Sequence, residues 1–133
     1  SSAASDVYKR QLLVGHVGKL VKVAGGIMNT HSHTADCRTE LFCTHAALCG
    51  ASQATCRALM DAATTDACLD ILDAENLREP VLKSLLQAIQ LHLDRRVAGA
   101  FRVGAVLFSN QAGPLGQTET AAQLLQSWQK KEQ

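Results

Sequence analysis

Aromatic residues are scarce in this sequence, with one Trp, one Tyr and three Phe among 133 residues. Proteins that hold single-stranded nucleic acid stack its bases on several aromatic side chains. A formal net charge of +1 also provides no basic surface for phosphates. The composition therefore argues against a nucleic-acid partner.

Long apolar runs are also missing. No stretch reaches the roughly 20 apolar residues that a membrane-spanning helix needs, and the first residues lack the basic-then-apolar order of a signal peptide. The count of five cysteines is odd, and no Cys-x-x-Cys spacing occurs, so neither a disulfide framework nor a zinc knuckle is expected. We expect free thiols, a cytoplasmic location and no membrane partner.

The apolar content of 47% and the charged content of 19% are those of a globular domain with its own core. The apolar run at 12–14 predicts a strand, and helical spacing then continues to about residue 28. Further helices are predicted at 36–48, from Ser52 to about 63, from Thr65 to 74, and from a capping box at Asn76 and Glu79 to about 98. The sequence FRVGAVLF at 101–108 predicts a second strand, 110–117 a turn-rich loop, and Thr118 the cap of a last helix.

Two strands separated by helices predict an α/β fold, a small unit with a parallel sheet. Two strands alone make a poor sheet. We therefore expect a piece of a larger enzyme, and we take 1–10 as a disordered or non-native leader. At the helix predicted over 36–48 we expect His45 to be a hydrogen-bonded core residue. The residues expected to face inward are Leu41, Phe42, Ala46, Leu48 and Cys49.

A glycine turn joins the first strand to the first helix, in the pattern Gly15-x-x-Gly18-Lys19. Such a turn can leave backbone amides free for an anion. It is not a Walker A loop, because Leu20 stands where that motif has Ser or Thr. Glycines that serve only a tight strand–helix turn are the structural alternative.

A second polar motif, His31-x-His33-x-x-Asp36, follows the first helix. It is compatible with metal ligation, with general acid–base chemistry, with anchoring of carboxylates, or with a polar loop that has no ligand. Metal ligation is disfavoured, because no third strong ligand stands at an obvious spacing. Arg38 and Glu40 follow and can pair with a substrate or with each other, and a solvated helix face is the favoured alternative for both.

The segment GHVGKLVKVAGGIMNTHSHTADCRTE at 15–40, together with FRVGAVLFSNQAGPLG at 101–116, resembles the C-terminal part of the cobalt-precorrin-5B C-1 methyltransferase family of anaerobic cobalamin biosynthesis. The resemblance extends over about 12–128 and is most specific between 15 and 40. It implies methyl transfer from S-adenosylmethionine to C-1 of cobalt-precorrin-5B, a cobalt-containing tetrapyrrole, giving cobalt-precorrin-6A. It also implies a two-domain enzyme in which 11–133 is a Rossmann-like C-terminal domain and the missing N-terminal domain is a partner. It leaves a homo-oligomer open.

The family resemblance identifies no catalytic residue, so we assign roles from position in the sequence. The catalytic candidates are His31, His33 and Asp36. The candidates for binding the methyl donor are Gly15, His16 and Gly18, and those for binding substrate carboxylates are Lys19, Lys22 and Arg38. No metal site of the protein is expected. The alternatives are an anion-binding α/β module without catalysis and, less favoured, a metal-dependent hydrolase built on His31, His33 and Asp36.

Overall fold

The computed structural model describes residues 10–31 and 36–132. Its α/β class confirms the prediction. A strand, β1, spans Arg10–His16 and is followed by a short helix, α1, at Val17–Leu20, which continues as a 3₁₀ helix at Val21–Gly25. The remaining elements are α2 (Arg38–Leu48), α3 (Gln53–Asp61), α4 (Thr65–Ala74), α5 (Arg78–Val97), β2 (Arg102–Ser109), β3 (Gly113–Gln117) and α6 (Glu119–Glu132).

The sheet has the order β1-β2-β3. Strands β1 and β2 run parallel, as predicted, and Leu13 faces Ala105 in their register. Strand β3 is antiparallel to β2, so the prediction of a loop at 110–117 was wrong. The sequence GPLGQ conceals this strand, because Gly and Pro have low strand propensity and Pro is tolerated only at an edge.

The first helical segment ends earlier than the apolar spacing predicts. Gly26 has a φ of 82°, and its N–H donates to the Val23 carbonyl at 2.9 Å. The N–H of Ile27 donates to the Lys22 carbonyl at 3.1 Å. These two bonds form a Schellman motif, in which the left-handed residue ends the helix. Gly26 is therefore a helix terminator and not an interior residue.

Two of the predicted helix caps need correction. Ser52 caps α3 as predicted, but α4 is capped by Thr64, one residue before the predicted Thr65. The predicted capping box at Asn76 is absent, because Asn76 has a φ of 58° and closes α4. Its N–H donates to the Asp73 carbonyl at 3.1 Å. Asparagine tolerates the left-handed region, so it serves here as a C-terminal residue instead of an N-cap.

The core lies between the helices and β2, which packs against both α5 and α6. Phe42 and Ala46 are buried as predicted, whereas Leu48 is 72% exposed, so its inward prediction was wrong. His45 is buried and its Nδ1 lies 2.7 Å from Ser84 Oγ, which confirms the hydrogen-bonded core histidine. The five cysteines are free thiols.

None of the helices in the described ranges combines the length and the apolar character that crossing a membrane requires.

The leader predicted at 1–10 falls outside the described residues except for Arg10, which is the first residue of β1.

Candidate functional site

A cleft of about 510 Å³ opens at the carboxyl ends of the two parallel strands. Strand β1 ends there at His16, and Asn110 directly follows the end of β2. Ligands of open α/β sheets bind at this edge, because loops and helix starts converge there. The side chains and backbone that line the cleft belong to His16, Gly18, Lys19, Lys22, Thr30, His31, Arg38, Thr64, Thr65, Asp66 and Asn110.

Six of the nine predicted site residues therefore line one cleft. They include at least one residue from each assigned role: catalysis, binding of the methyl donor and binding of substrate carboxylates. The six are His16, Gly18, Lys19, Lys22, His31 and Arg38. Asp36 lies beside it, in an adjoining depression of about 140 Å³ that also contacts Arg38. Gly15 does not line the cleft, and His33 lies outside the described residues.

The two glycines of the turn serve packing in this structure. A Cβ at Gly15 would stand 2.9 Å from Leu20 Cδ1, so its absence lets α1 lie close to β1. The N–H of Gly18 donates to His16 Nδ1 at 2.9 Å, which occupies the amide that an anion would need. His16 also packs edge-on against Phe108, with ring centroids 5.8 Å apart. Because Nδ1 of His16 accepts, its neutral ring carries the proton on Nε2.

Lys22 is buried, with 2% of its surface exposed. Its Nζ donates to the backbone carbonyl of Thr30 at 3.0 Å, which ties the segment after the 3₁₀ helix to the cleft wall. Within 10–31 and 36–132 no carboxylate lies within ion-pair distance of this ammonium. Burial of a cation is costly unless an opposite charge or hydrogen bonds compensate it. The cleft therefore contains a costly positive charge, because the Lys22 ammonium has one hydrogen-bond partner among the described residues.

Asp36 and Arg38 form a two-pronged ion pair, with Nε to Oδ1 at 2.8 Å and an Nη2 to Oδ2 bond at 3.1 Å. The hydrogen bond from Arg38 lowers the pKa of Asp36, and the same bond raises the pKa of Arg38. A carboxylate with a lowered pKa is a weaker base. The arrangement makes Asp36 the partner that orients Arg38 and reduces its suitability as a proton acceptor.

One wall of the cleft was not predicted from the sequence. It is formed by Thr64, Thr65 and Asp66 at the start of α4, and by Asn110 beyond β2. Thr65 is 4% exposed, and Asp66 Oδ1 is a buried oxygen with no hydrogen-bond partner in the part of the chain that the structure describes. The strand-end rule could have indicated Asn110. Nothing in the local sequence connects the α4 cap with the glycine turn, which precedes it by more than 40 residues.

No group of three His, Cys, Asp or Glu side chains suited to a metal ion occurs among the described residues. His33, which the hydrolase alternative requires, is not one of them, and Asp36 is engaged by Arg38.

Comparison with known proteins identifies the family. A family model described as the CbiD C-terminal domain matches residues 29–119. A protein of Ruminiclostridium cellulolyticum named cobalt-precorrin-5B C(1)-methyltransferase is 49% identical over 102 residues, which cover 77% of this chain and 27% of the relative. A Moorella thermoacetica protein of the same name is 38% identical over 120 residues, covering 90% of this chain and 33% of the relative.

No solved structure gives a significant match. The chain spans about a third or less of the length of the curated relatives it matches. The family model nevertheless covers more than half of the chain, and it excludes the glycine turn at 15–18 while including the polar segment at 30–38. The chain therefore belongs to the cobalt-precorrin-5B C(1)-methyltransferase family and corresponds within it to the CbiD C-terminal domain.

Proposed function

We propose that the enzyme containing this domain transfers a methyl group from S-adenosylmethionine to C-1 of cobalt-precorrin-5B, giving cobalt-precorrin-6A in anaerobic cobalamin biosynthesis, and that the cleft holds groups of both reactants. The observation that carries the proposal is the convergence of Lys19, Lys22 and Arg38 with His16 and His31 in one cleft. The names of the relatives support the reaction. The free thiols support a cytoplasmic location.

The charges lining the cleft suit a ligand that carries carboxylates. Three cationic side chains, Lys19, Lys22 and Arg38, face one acidic side chain, Asp66. The tetrapyrrole substrate carries several side-chain carboxylates, and charge-assisted hydrogen bonds to Lys and Arg are the strongest way to hold them. Asp36 accepts from Nε and Nη2 of Arg38, which orients the guanidinium and leaves its remaining donors for a ligand.

The cleft also has groups that fit the methyl donor. S-adenosylmethionine carries a carboxylate, an ammonium group and ribose hydroxyls besides its sulfonium. The buried Lys22 ammonium suits the carboxylate, and the unpartnered Asp66 Oδ1 suits a donor such as an ammonium or a hydroxyl. Of the predicted donor-binding residues, His16 and Gly18 line the cleft, and Gly15 contributes by letting α1 lie close to the strand.

Positioning accounts for most of the catalysis in this proposal. S-adenosylmethionine supplies an electrophilic methyl group, and its transfer is a direct displacement that depends on alignment of the reacting atoms. The residues of the cleft bind and orient the acidic macrocycle. Where the ring loses a proton, a histidine is a better acceptor than Asp36, whose pKa is lowered by Arg38. His31 lines the cleft and is our candidate, with His33 retained as a proposal.

The test is turnover of the full-length enzyme with labelled S-adenosylmethionine and cobalt-precorrin-5B. We expect Lys19→Ala and Arg38→Ala to lower kcat/KM by at least tenfold each, because each removes a charge-assisted contact. Lys83→Ala is the matched control, since Lys83 lies on α5 and does not line this cleft. Full turnover in both cleft variants would refute the assignment of the site.

An anion-binding module without catalysis is the second candidate, and the cationic lining of the cleft favours it. Calorimetry with a corrinoid separates the two. Binding to the cleft with no methyl transfer, even in the full-length enzyme, would favour the module.

A further inference from the structure

The N-terminus of α4 forms a wall of the cleft that the sequence motifs did not indicate. Thr64 caps the helix, since its Oγ1 accepts from the Ala67 N–H at 3.0 Å and its carbonyl accepts from the Cys68 N–H at 3.2 Å. The amides of Thr65 and Asp66 precede the first intrahelical bond and have no acceptor within the helix. They border the cleft at the N-terminus of α4, a ten-residue helix whose dipole favours an anion at its N-terminal end.

The Thr65 hydroxyl is an independent sign of a ligand. Thr65 is 4% exposed, and its Oγ1 lies 3.4 Å from where a Cβ on Gly18 would stand. The described residues supply no hydrogen-bond partner for this oxygen, whereas the hydroxyl of the neighbouring Thr64 caps the helix. The Thr65 residue is nearly buried, but its unpartnered hydroxyl is not among the fully enclosed polar atoms, so it opens into the cleft and is available to hydrogen-bond a ligand there.

Lys22 supplies the charge. It follows Gly18 by four residues, about one helical turn, so the two lie on the same side of the helical segment. Its ammonium has three donors, and one of them reaches the Thr30 carbonyl. Lys22 and Thr65 therefore line the same cleft. More than nine-tenths of each residue is buried, and each can form further hydrogen bonds.

We propose that Lys22, the Thr65 hydroxyl and the amides of Thr65 and Asp66 form a binding site for one carboxylate group of a ligand. This inference deepens the proposed function and rests on it for the identity of the ligand, which is either the side-chain carboxylate of the tetrapyrrole or the carboxylate of the methyl donor. The Asp66 side chain is the acidic neighbour of the site. It disfavours groups with a second negative charge, such as phosphate.

The first experiment titrates the chain with sodium acetate at constant ionic strength and follows backbone amide resonances by NMR. The largest shifts are expected at Thr65 and Asp66. Thr65→Val, which replaces the hydroxyl by a methyl group, is expected to weaken acetate binding by about 3- to 10-fold, as loss of one neutral hydrogen bond does. Lys22→Met removes the charge and is expected to weaken it by about 10- to 100-fold.

Matched controls separate binding from a general effect of the substitutions. Thr44→Val makes the same change at an exposed position of α2, and Lys83→Met at an exposed position of α5; both are expected to leave acetate binding unchanged. Equal affinities of Thr65→Val and Thr44→Val, with both variants folded, would overturn the proposal. Thr65→Val keeps the test valid even where Lys22→Met does not fold.

The second experiment identifies the source of the carboxylate by competition against acetate. Uroporphyrin I represents the tetrapyrrole side chains, and S-adenosylhomocysteine represents the methyl donor. Displacement by either one in a Thr65-dependent manner supports the site and identifies its ligand, whereas displacement by neither overturns the link to the reactants. A failed acetate titration refutes this site alone, and unaltered turnover in the Lys19 and Arg38 variants refutes the proposed function alone.

Discussion

Two regions of the molecule use their polar groups differently. On the side where α5 and α6 cover β2, the N–H of Ala105 donates to Thr118 Oγ1 at 3.0 Å and Gln90 Nε2 donates to the Val103 carbonyl at 2.9 Å. In the cleft at the ends of β1 and β2, Asp66 Oδ1 is buried without a partner among the described residues, the Thr65 hydroxyl also lacks one, and the buried Lys22 ammonium has one.

The contrast separates polar residues that hold the fold from those available to a ligand. The Ala105 N–H and Gln90 Nε2 donors of the first region complete their hydrogen bonds within the chain, although Gln90 Oε1 is buried without a partner among the described residues. Loss of these two hydrogen bonds should lower stability. Groups of the second region remain partly unpaired, which is unfavourable for stability in the free protein. We therefore expect substitutions in the cleft to affect binding more than folding, and substitutions in the packed region to do the reverse.

The largest effect on stability is expected at Gly104. A Cβ at this position would stand 2.6 Å from Ala121 Cα, and the backbone of α6 cannot move aside without shifting the helix. Gly104→Ala should therefore lower the free energy of unfolding by about 3 kcal/mol, at the upper end of overpacking effects. Urea denaturation measures the change.

Gly25→Ala is the matched control for that substitution. Its new Cβ would meet Leu41 Cδ2 at 3.0 Å, the far end of a flexible side chain that can rotate away. We expect a change of less than about 1 kcal/mol. Equal losses in the two variants would show that the close approach of α6 to β2 does not limit stability.

An intermediate effect is expected at His45, through pH. Burial lowers the pKa of His45 below its ordinary value of 6.5. As pH falls below 6.5 the unfolded chain takes up the proton first, so the stabilisation present above 6.5 is lost progressively as pH falls through the lowered pKa. His45→Asn, which can still hydrogen-bond Ser84, should flatten this part of the curve of stability against pH. An unchanged slope of stability against pH in this variant would contradict the assignment of the pH dependence to His45.

The smallest expected effect concerns Asp36. Asp36→Asn removes the carboxylate that holds Arg38, so the Nε and Nη2 donors also become available to an anionic ligand. Affinity for uroporphyrin I should rise about two- to fivefold, since an exposed ion pair is weak and releasing it has a small effect. Fluorescence titration measures it. A tenfold loss of affinity would mean that the Asp36 carboxylate itself contributes to binding.

Much of the fold could be predicted because the signals are local. Apolar spacing located the helices and both parallel strands, and Ser52 was identified as a cap. Strand β3 was missed because pairing with β2 overrides the poor propensity of GPLGQ. Leu48 was misassigned because helical spacing predicts an apolar face and not whether a neighbouring element covers it.

The candidate site could be predicted in part. The glycine turn and the polar segment after it proved to lie in one cleft through Gly18, Lys22 and His31. The contribution of Thr65 depends on how α4 packs against the glycine turn, a long-range contact with no local signature. The occupation of the Gly18 amide by His16 was equally hidden, because it is set by the rotamer of one side chain.

The most direct test of the central claim is methyl transfer by the full-length enzyme carrying Lys22→Met, measured beside its free energy of unfolding. The account predicts a fall in kcat/KM of at least tenfold, with stability within about 1 kcal/mol of the parent because a costly buried charge is removed together with one hydrogen bond. Unchanged kcat/KM in an enzyme destabilised by several kcal/mol would show that Lys22 serves the fold and would contradict the account.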